Sequence, residues 1–160
     1  MPVIRLNVGA GDKYMPGFVN CDRHGEQDVQ CDATPLPFAS DYADELWAIH
    51  LLEHLHRREA SPTLTEWFRV LKPHGTLVLE LPCMDKIAQL IVNGETNQRL
   101  TVMGIFGDPR DEKPDMMHQW CWTKNELMET LSSIGFQQIR FLDPIFHKVE
   151  RDMRVEAVKP

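Results

Sequence analysis

The stretch Leu6-Asn7-Val8-Gly9-Ala10-Gly11-Asp12 decides the fold class of this 160-residue chain. A short apolar strand, Val3 to Val8, runs directly into two glycines separated by an alanine. Small residues in such a turn let the backbone approach a ligand that bulky side chains would hold off. The third glycine of the dinucleotide fingerprint is absent, which disfavours a nicotinamide cofactor held by its pyrophosphate. A glycine turn also occurs with no ligand at all, so its weight depends on what the neighbouring strands carry.

Those neighbours carry aspartates. Phe18 to Cys21 predicts a second strand ending at Asp22, and Asp28 to Cys31 a third ending at Asp32, followed by the stiff turn Ala33-Thr34-Pro35-Leu36-Pro37. In open α/β sheets ligands bind beyond the carboxyl ends of the strands. A carboxylate at Asp22 can accept hydrogen bonds from both ribose hydroxyls of an adenosine cofactor. Asp32 can accept from an adenine amino group. Arg23 and Thr34, beside these residues, join the candidate set. Asp22 follows Gly11 by only 11 residues, against the roughly 20 of dinucleotide-binding folds. The gaps Asp12–Gly17 and Arg23–Gln27 are too short for crossover helices, so the early helices are reduced.

Further on, Glu45–Ile49 and Thr76–Leu81 predict a fourth and fifth strand, and Gln137–Leu142 and Met153–Val158 a sixth and seventh. A helix is expected over Pro62–Leu71, with Leu64, Trp67, Phe68 and Leu71 on one face. Another opens at Thr123 with Glu126 three residues on, a capping box, presents Leu127, Met128, Leu131 and Ile134, and ends at Gly135. Met84–Asn93 also reads as helical, and Gly104–Pro114 as a loop suited to a mobile lid reaching Met117. Strands alternating with helices indicate one α/β domain over residues 1–160.

Composition narrows the function. A net charge of −7 with dispersed basic residues disfavours duplex nucleic acid as a partner. No apolar run approaches a membrane span, and the N-terminus does not read as a signal peptide, so a cytoplasmic protein is expected. A homo-oligomer is compatible with the sequence. The scattered Cys21, Cys31, Cys83 and Cys121 form no CxxC pair, which argues against disulfides or a zinc knuckle. His50-Leu51-Leu52-Glu53-His54 matches the HxxEH pattern of inverted zinc proteases, whose histidines bind zinc from one helix. Trp47 and Ile49 beside His50 favour a strand end instead, so no metal is expected.

LNVGAGD, GFVNCD, CDATPLPF, LLEH and EWFRVLKPHGTLVLELP, taken in that order over residues 4 to 82, resemble the small type 11 S-adenosylmethionine-dependent methyltransferases. The subgroup most similar has shortened early helices and is often associated with sugar and polysaccharide genes. A looser similarity continues over residues 118 to 136. The resemblance implies a Rossmann-like, seven-stranded, mostly parallel sheet with the last strand antiparallel. It implies S-adenosylmethionine as cofactor, with Asn7, Gly9, Ala10 and Gly11 under its methionine and ribose parts, Asp22 on the ribose, Asp32 and Ala33 at adenine, and His50 and Leu51 on the methionine side. Asn7 stands where many members have an acid, and His74 replaces the first glycine of the LKPGG turn, where little effect is expected.

Methyl transfer then proceeds by in-line displacement to a small-molecule or sugar acceptor. His118 is the first candidate for a general base, with His50 and Asp85 behind it. Trp120 and Trp122 serve either a sugar ring or the core. Two other functions compete: a non-catalytic S-adenosylmethionine-binding module or partner-dependent subunit, and a zinc hydrolase built on HLLEH.

Overall fold

The structure, a computed structural model, describes residues 2–111 and 116–160. Its strands are β1 (Arg5–Val8), β2 (Val19–Asp22), β3 (Val29–Gln30), β4 (Ala43–Ile49), β5 (Leu71–Pro82), β6 (Gln137–Leu142) and β7 (Asp152–Val158). They form one seven-stranded sheet in the order β3-β2-β1-β4-β5-β7-β6. The neighbours from β3 through β5 pair in parallel, whereas β7 runs antiparallel to both β5 and β6. The chain order reverses direction between β1 and β4, which opens a crevice at their carboxyl ends.

The core follows the register. Leu6 lies opposite Leu46, and Leu46 opposite Leu77. Leu79, Leu81, Met153, Val155 and Ala157 extend the same apolar cluster across β5 and β7. Helix α1 (Arg57–Val70) lays Ala60, Leu64, Trp67 and Val70 against it. This helix starts five residues before the expected Pro62. His56 caps it by accepting from the Arg58 N–H through Nδ1, and Arg57 Nε donates to Glu126 Oε1 at 2.7 Å. The donor that Pro62 lacks is outweighed by the buried face on either side of it.

Between β1 and β4 the chain forms no helix. A buried asparagine does the work that a helix would otherwise do. Asn20, with no solvent exposure, accepts from Asn7 Nδ2 and the Met15 N–H, and donates to Met15 O, Phe18 O and Asp28 Oδ2. Loop backbone that has no ladder is thereby satisfied by one side chain.

Helices α2 (Met84–Val92) and α4 (Lys124–Ile134) stand where expected. Thr123 Oγ1 accepts from the Glu126 N–H, and Gly135 ends α4 in the left-handed conformation. Glu126 does not fold back to complete the capping box. It takes Arg57 and the Trp120 indole N–H instead. Asp85 Oδ2 accepts the Lys124 N–H, so it caps α4. Met128, expected on the buried face, is exposed. Trp122 is buried in the core under the Arg57 guanidinium, and Trp120 is 39% exposed.

Two further expectations change. Residues 104–106 are not loop but the end of a short helix α3 (Val102–Phe106), in which Gly104 packs so tightly that an added Cβ would stand 2.7 Å from Ile87 and Arg151 carbons. The rest of the expected lid falls partly on residues 112–115, outside the described residues. Strand β5 starts at Leu71 rather than Thr76, because Leu71 already pairs with Ala43, and residues 72–75 bulge out before Thr76 pairs with Glu45. Within it His74 has φ +66°, a conformation that costs a side chain about 1–2 kcal/mol. We therefore expect His74→Gly to raise stability by up to about 1 kcal/mol after the entropic cost of glycine, seen as a higher urea midpoint with unchanged slope.

Candidate functional site

Beyond the carboxyl ends of β1, β2 and β3 the chain is held in three turns. Gly9 and Gly11 have φ +74° and +50°. The Gly9 and Ala10 N–H groups both donate to Cys21 O, which locks the turn onto β2. A Cβ at Gly11 would meet nothing within 4 Å, so this side of the turn opens outward, while a Cβ at Gly9 would press on Leu51 at 2.7 Å. Asp22 bridges the first two turns: Oδ2 accepts the Gly11 N–H and Oδ1 the His24 N–H, each at 2.9 Å. Each oxygen keeps a second lone pair for a ligand hydroxyl. Asp32 Oδ1 lies 2.9 Å from Arg23 Nε, and both side chains are more than half exposed. Ala33 O accepts the Trp67 indole N–H, and the Leu36 N–H donates to Glu66, so α1 fixes the turn that also carries Thr34.

Gly9, Ala10, Gly11, Asp22, Arg23, Asp32, Ala33 and Thr34 thus occupy one edge of the sheet. Asn7 differs. It is buried, and its Nδ2 donates to Asn20 Oδ1 and Lys13 O. It holds the glycine turn from below. The edge suits S-adenosylmethionine: a close-approach glycine turn with open space on one side, followed by carboxylates spaced along successive strand ends.

The end of β4 carries a denser cluster. His50 leaves the strand at φ +52°, an arrangement that costs about 1–3 kcal/mol and is sustained only by strong surroundings. Its Nδ1 lies 2.6 Å from Glu53 Oε1 and its Nε2 3.5 Å from Asp152 Oδ2. Glu53 sits on the 3₁₀ turn Leu52–His54 with no solvent exposure. The contact with His50 is an ion pair rather than an aligned hydrogen bond, since neither Glu53 oxygen has a hydrogen-bond donor. Burial pulls His50 down, but the charges of Glu53 and Asp152 override it and hold its pKa at about 9. Burial likewise works against the Glu53 carboxylate, and the surrounding histidines hold it at about 2. A charged His50 has no lone pair to take a proton, which removes it as a base at neutral pH. Asp85, spent on capping α4, is also a poor candidate.

His118 reaches this cluster from the far side. The Gln119 and Trp120 N–H groups donate to Glu53 O at 2.7 and 3.2 Å, stapling the segment down. The His118 ring stands edge-on to His54, centroids 4.9 Å apart, with Nδ1 3.0 Å from Gly104 O. A carbonyl can only accept, so Nδ1 carries the proton and Nε2 keeps its lone pair. Burial pushes the His118 pKa below its ordinary value, favouring that neutral form.

The sequence missed His147 and Asp152. The loop from Asp143 to Arg151 arches back because the Ile145 and Phe146 N–H groups donate to the buried Glu80 carboxylate at 2.7 and 3.0 Å. His147 then lies against His50 with ring centroids 3.8 Å apart and the rings tilted by 46°, and its Nε2 accepts from Lys13 Nζ. Burial and the nearby positive charges push it down to about 4. A loop histidine sixty-odd positions beyond β5 carries no local signal of this placement. The HLLEH segment does not form the zinc-protease helix either: His50 ends a strand toward His147 and Asp152, while His54 turns to His118. The four cysteines are free, and burial pushes the Cys21 thiol up to about 12, in keeping with a small inert core residue.

A family model described as a methyltransferase domain, of the type 11 kind, matches residues 12–79. No curated protein sequence matches the chain. Among solved structures, an S-adenosylmethionine-dependent methyltransferase from Archaeoglobus fulgidus superposes with TM-score 0.68 at 16% identity, covering 98% of this chain and 86% of that one. One from Thermotoga maritima superposes at 0.67 with 13% identity, over 100% and 84%. The 1,6-didemethyltoxoflavin N1-methyltransferase from Burkholderia thailandensis, with its substrate and S-adenosylhomocysteine bound, superposes at 0.67 with 14% identity, over 99% and 71%. No helix among the described residues is long and apolar enough to cross a membrane.

The contact between the first turn and Leu51 can be tested without any ligand. Gly9→Ala is expected to cost about 2–4 kcal/mol, from the left-handed backbone and the overpacking together. In a Leu51→Ala background the same change should cost less, because only the backbone strain remains. Urea unfolding of the double-mutant cycle measures the difference.

Proposed function

We propose that this chain, whose residues 12–79 match a methyltransferase-domain family model, is an S-adenosylmethionine-dependent methyltransferase and methylates a small-molecule or sugar acceptor by in-line displacement. When bound, the cofactor supplies a methyl group already activated on a sulfonium. The observation that carries the proposal is the common edge formed by Gly9–Gly11, Asp22 and Asp32, with His50 and Leu51 closing it at β4.

In this proposal Gly9, Ala10 and Gly11 underlie the methionine and ribose portions. Asp22 receives the ribose hydroxyls on its remaining lone pairs. Asp32, with Arg23, Ala33 and Thr34 around it, meets the adenine. His50, held positive, offers a cation to the methionine carboxylate, and Leu51 packs on the methionine chain. Asn7 supports the turn without touching the cofactor. The protein's task at the reacting atoms is to hold the acceptor about 3–3.5 Å from the methyl carbon and in line with the leaving group. For a hydroxyl or amine acceptor the Nε2 lone pair of His118 is the group that would take the proton. The chain works as one domain in the cytoplasm. The half-exposed Arg23 and Asp32, with no crossover helix between β1 and β3, also favour a second reading, a subunit that needs a partner to enclose the cofactor. Methyl transfer that appears only in a partner-supplemented mixture would select it.

Calorimetry tests the cofactor edge. S-adenosylhomocysteine should bind the wild type, and Asp22→Ala should weaken binding by about 1.5–3 kcal/mol, the range for hydrogen bonds to a charged group. Asp32→Ala should cost less, since it meets fewer donors. An unchanged dissociation constant in folded Asp22→Ala would remove Asp22 from the site. On the acceptor side, His118→Ala should lower turnover by roughly 10²–10⁴ and leave S-adenosylhomocysteine affinity unchanged. Loss of both together would make His118 structural.

A further inference from the structure

We propose that Glu53, His54 and His118 form a binding site for a divalent first-row transition cation of the zinc type, contrary to the expectation from sequence. One ligand atom from each of these residues lies within 4.8 Å of the others. Ligands of a tetrahedral ion at about 2.1 Å stand roughly 3.4 Å apart, so the set must draw together by up to about 1.4 Å to hold the ion.

The independent observation is a set of orphaned polar atoms. Glu53 is fully buried, and both its carboxylate oxygens lack a hydrogen-bond donor; His54 Nδ1 is buried and equally unpartnered. Leaving such groups unpaired costs several kcal/mol, which native proteins avoid unless the groups serve a ligand or an ion. His50 at 2.6 Å relieves one Glu53 oxygen. The other oxygen and His54 Nδ1 remain. A cation answers both at once.

The surroundings resemble a shell that holds ligands rather than a packing accident. His118 Nδ1 donates to Gly104 O, fixing the tautomer that leaves Nε2 free, as outer partners of metal-binding histidines do. Two backbone N–H groups from Gln119 and Trp120 clamp Glu53 O, so the main chain holds His118 against the turn that carries the other two ligands. His50 in turn orients the Glu53 carboxylate. Two imidazoles and one carboxylate make a borderline donor set, suited to zinc, cobalt or iron(II) rather than magnesium or calcium. Three protein ligands leave a position open, the pattern of a site that takes a further ligand.

This site goes beyond methyl transfer and does not depend on it. It bears on His118, because a metal ligand and a proton acceptor use the same lone pair: only the metal-free protein has His118 available as a base. The second cluster, His50, His147 and Asp152, is the internal control. Asp152 there is already engaged by Arg151 at 2.6 Å, and His147 by Lys13.

The test uses the full chain, stripped with a chelator and dialysed, without cofactor or acceptor. Zn²⁺ is titrated by calorimetry, and Co²⁺ uptake is followed by its visible ligand-field bands. One ion per chain is expected, with imidazole–carboxylate bands for cobalt. His118→Ala should weaken Zn²⁺ by more than about 100-fold, beyond the roughly 10–100-fold effect of losing a mere outer partner, and His147→Ala should leave affinity within twofold. His118→Gln, which keeps a donor for Gly104 O, serves if circular dichroism shows the alanine variant unfolded, and should weaken binding likewise. No uptake by the folded wild type, or uptake lost in His147→Ala and kept in the His118 variants, overturns the proposal. Neither result touches S-adenosylhomocysteine binding, so failure here is distinguishable from failure of the methyltransferase reading.

Discussion

A carboxylate with no access to water governs this molecule. Glu53 lies on the turn just after β4, where an uncompensated charge would cost several kcal/mol. Three parts of the chain gather round it, and one of them brings a charge. His50, in a strained left-handed conformation at the strand end, brings an imidazolium. His54 follows on the same turn. The segment 118–120 arrives from beyond α3 and is clamped through the Glu53 carbonyl. One buried charge therefore ties the glycine-turn half of the sheet, through Leu51 against Gly9, to the C-terminal half that carries His118. In an α/β sheet this is the edge on which ligands sit.

The antiparallel hairpin of β6 and β7 obeys the same rule one strand over. Glu80 on β5 is fully buried, paired with Arg154 Nη1 at 3.3 Å, and accepts two loop N–H groups. Arg154 also stacks on Trp47 with its guanidinium carbon 4.6 Å from the ring centre. That pairing bends the β6–β7 loop over the end of β4 and puts His147 on His50 and Asp152 behind it. Buried charge, rather than additional apolar surface, decides where the two ends of the chain meet. The early strands show the polar but uncharged version of this economy, with Asn20 and Asn7 supporting the turns that helices would otherwise cover.

What was legible in the sequence was local. The strand positions, the α4 cap at Thr123 with its Gly135 stop, and the line of Gly9, Asp22 and Asp32 all follow from periodicity and turn chemistry within a few residues. The misread features depend on distant partners. Helix α1 begins early because Arg57 finds Glu126, 69 positions away. Met128 faces outward although its spacing fits the buried face. His74 takes a glycine conformation because its N–H is held by Lys159 O on the neighbouring strand end. At the site, HLLEH offered two motifs in five letters, and neither spacing nor composition could say that His50 and His54 would turn to different partners. His147 and Asp152 gave no signal, since only the Glu80 anchor brings their loop home.

The edge built from the Gly9–Gly11 turn, Asp22 and Asp32, closed at β4 by His50, is the proposed cofactor site, with Glu53 behind His50 and off the ligand. A crystal structure grown with S-adenosylhomocysteine tests this most directly. The ligand should lie beyond the carboxyl ends of β1 and β2, with its ribose hydroxyls on Asp22, its adenine toward Asp32 and its carboxylate toward His50. Density for the ligand elsewhere on the sheet, or a ribose making no contact with Asp22, would contradict it.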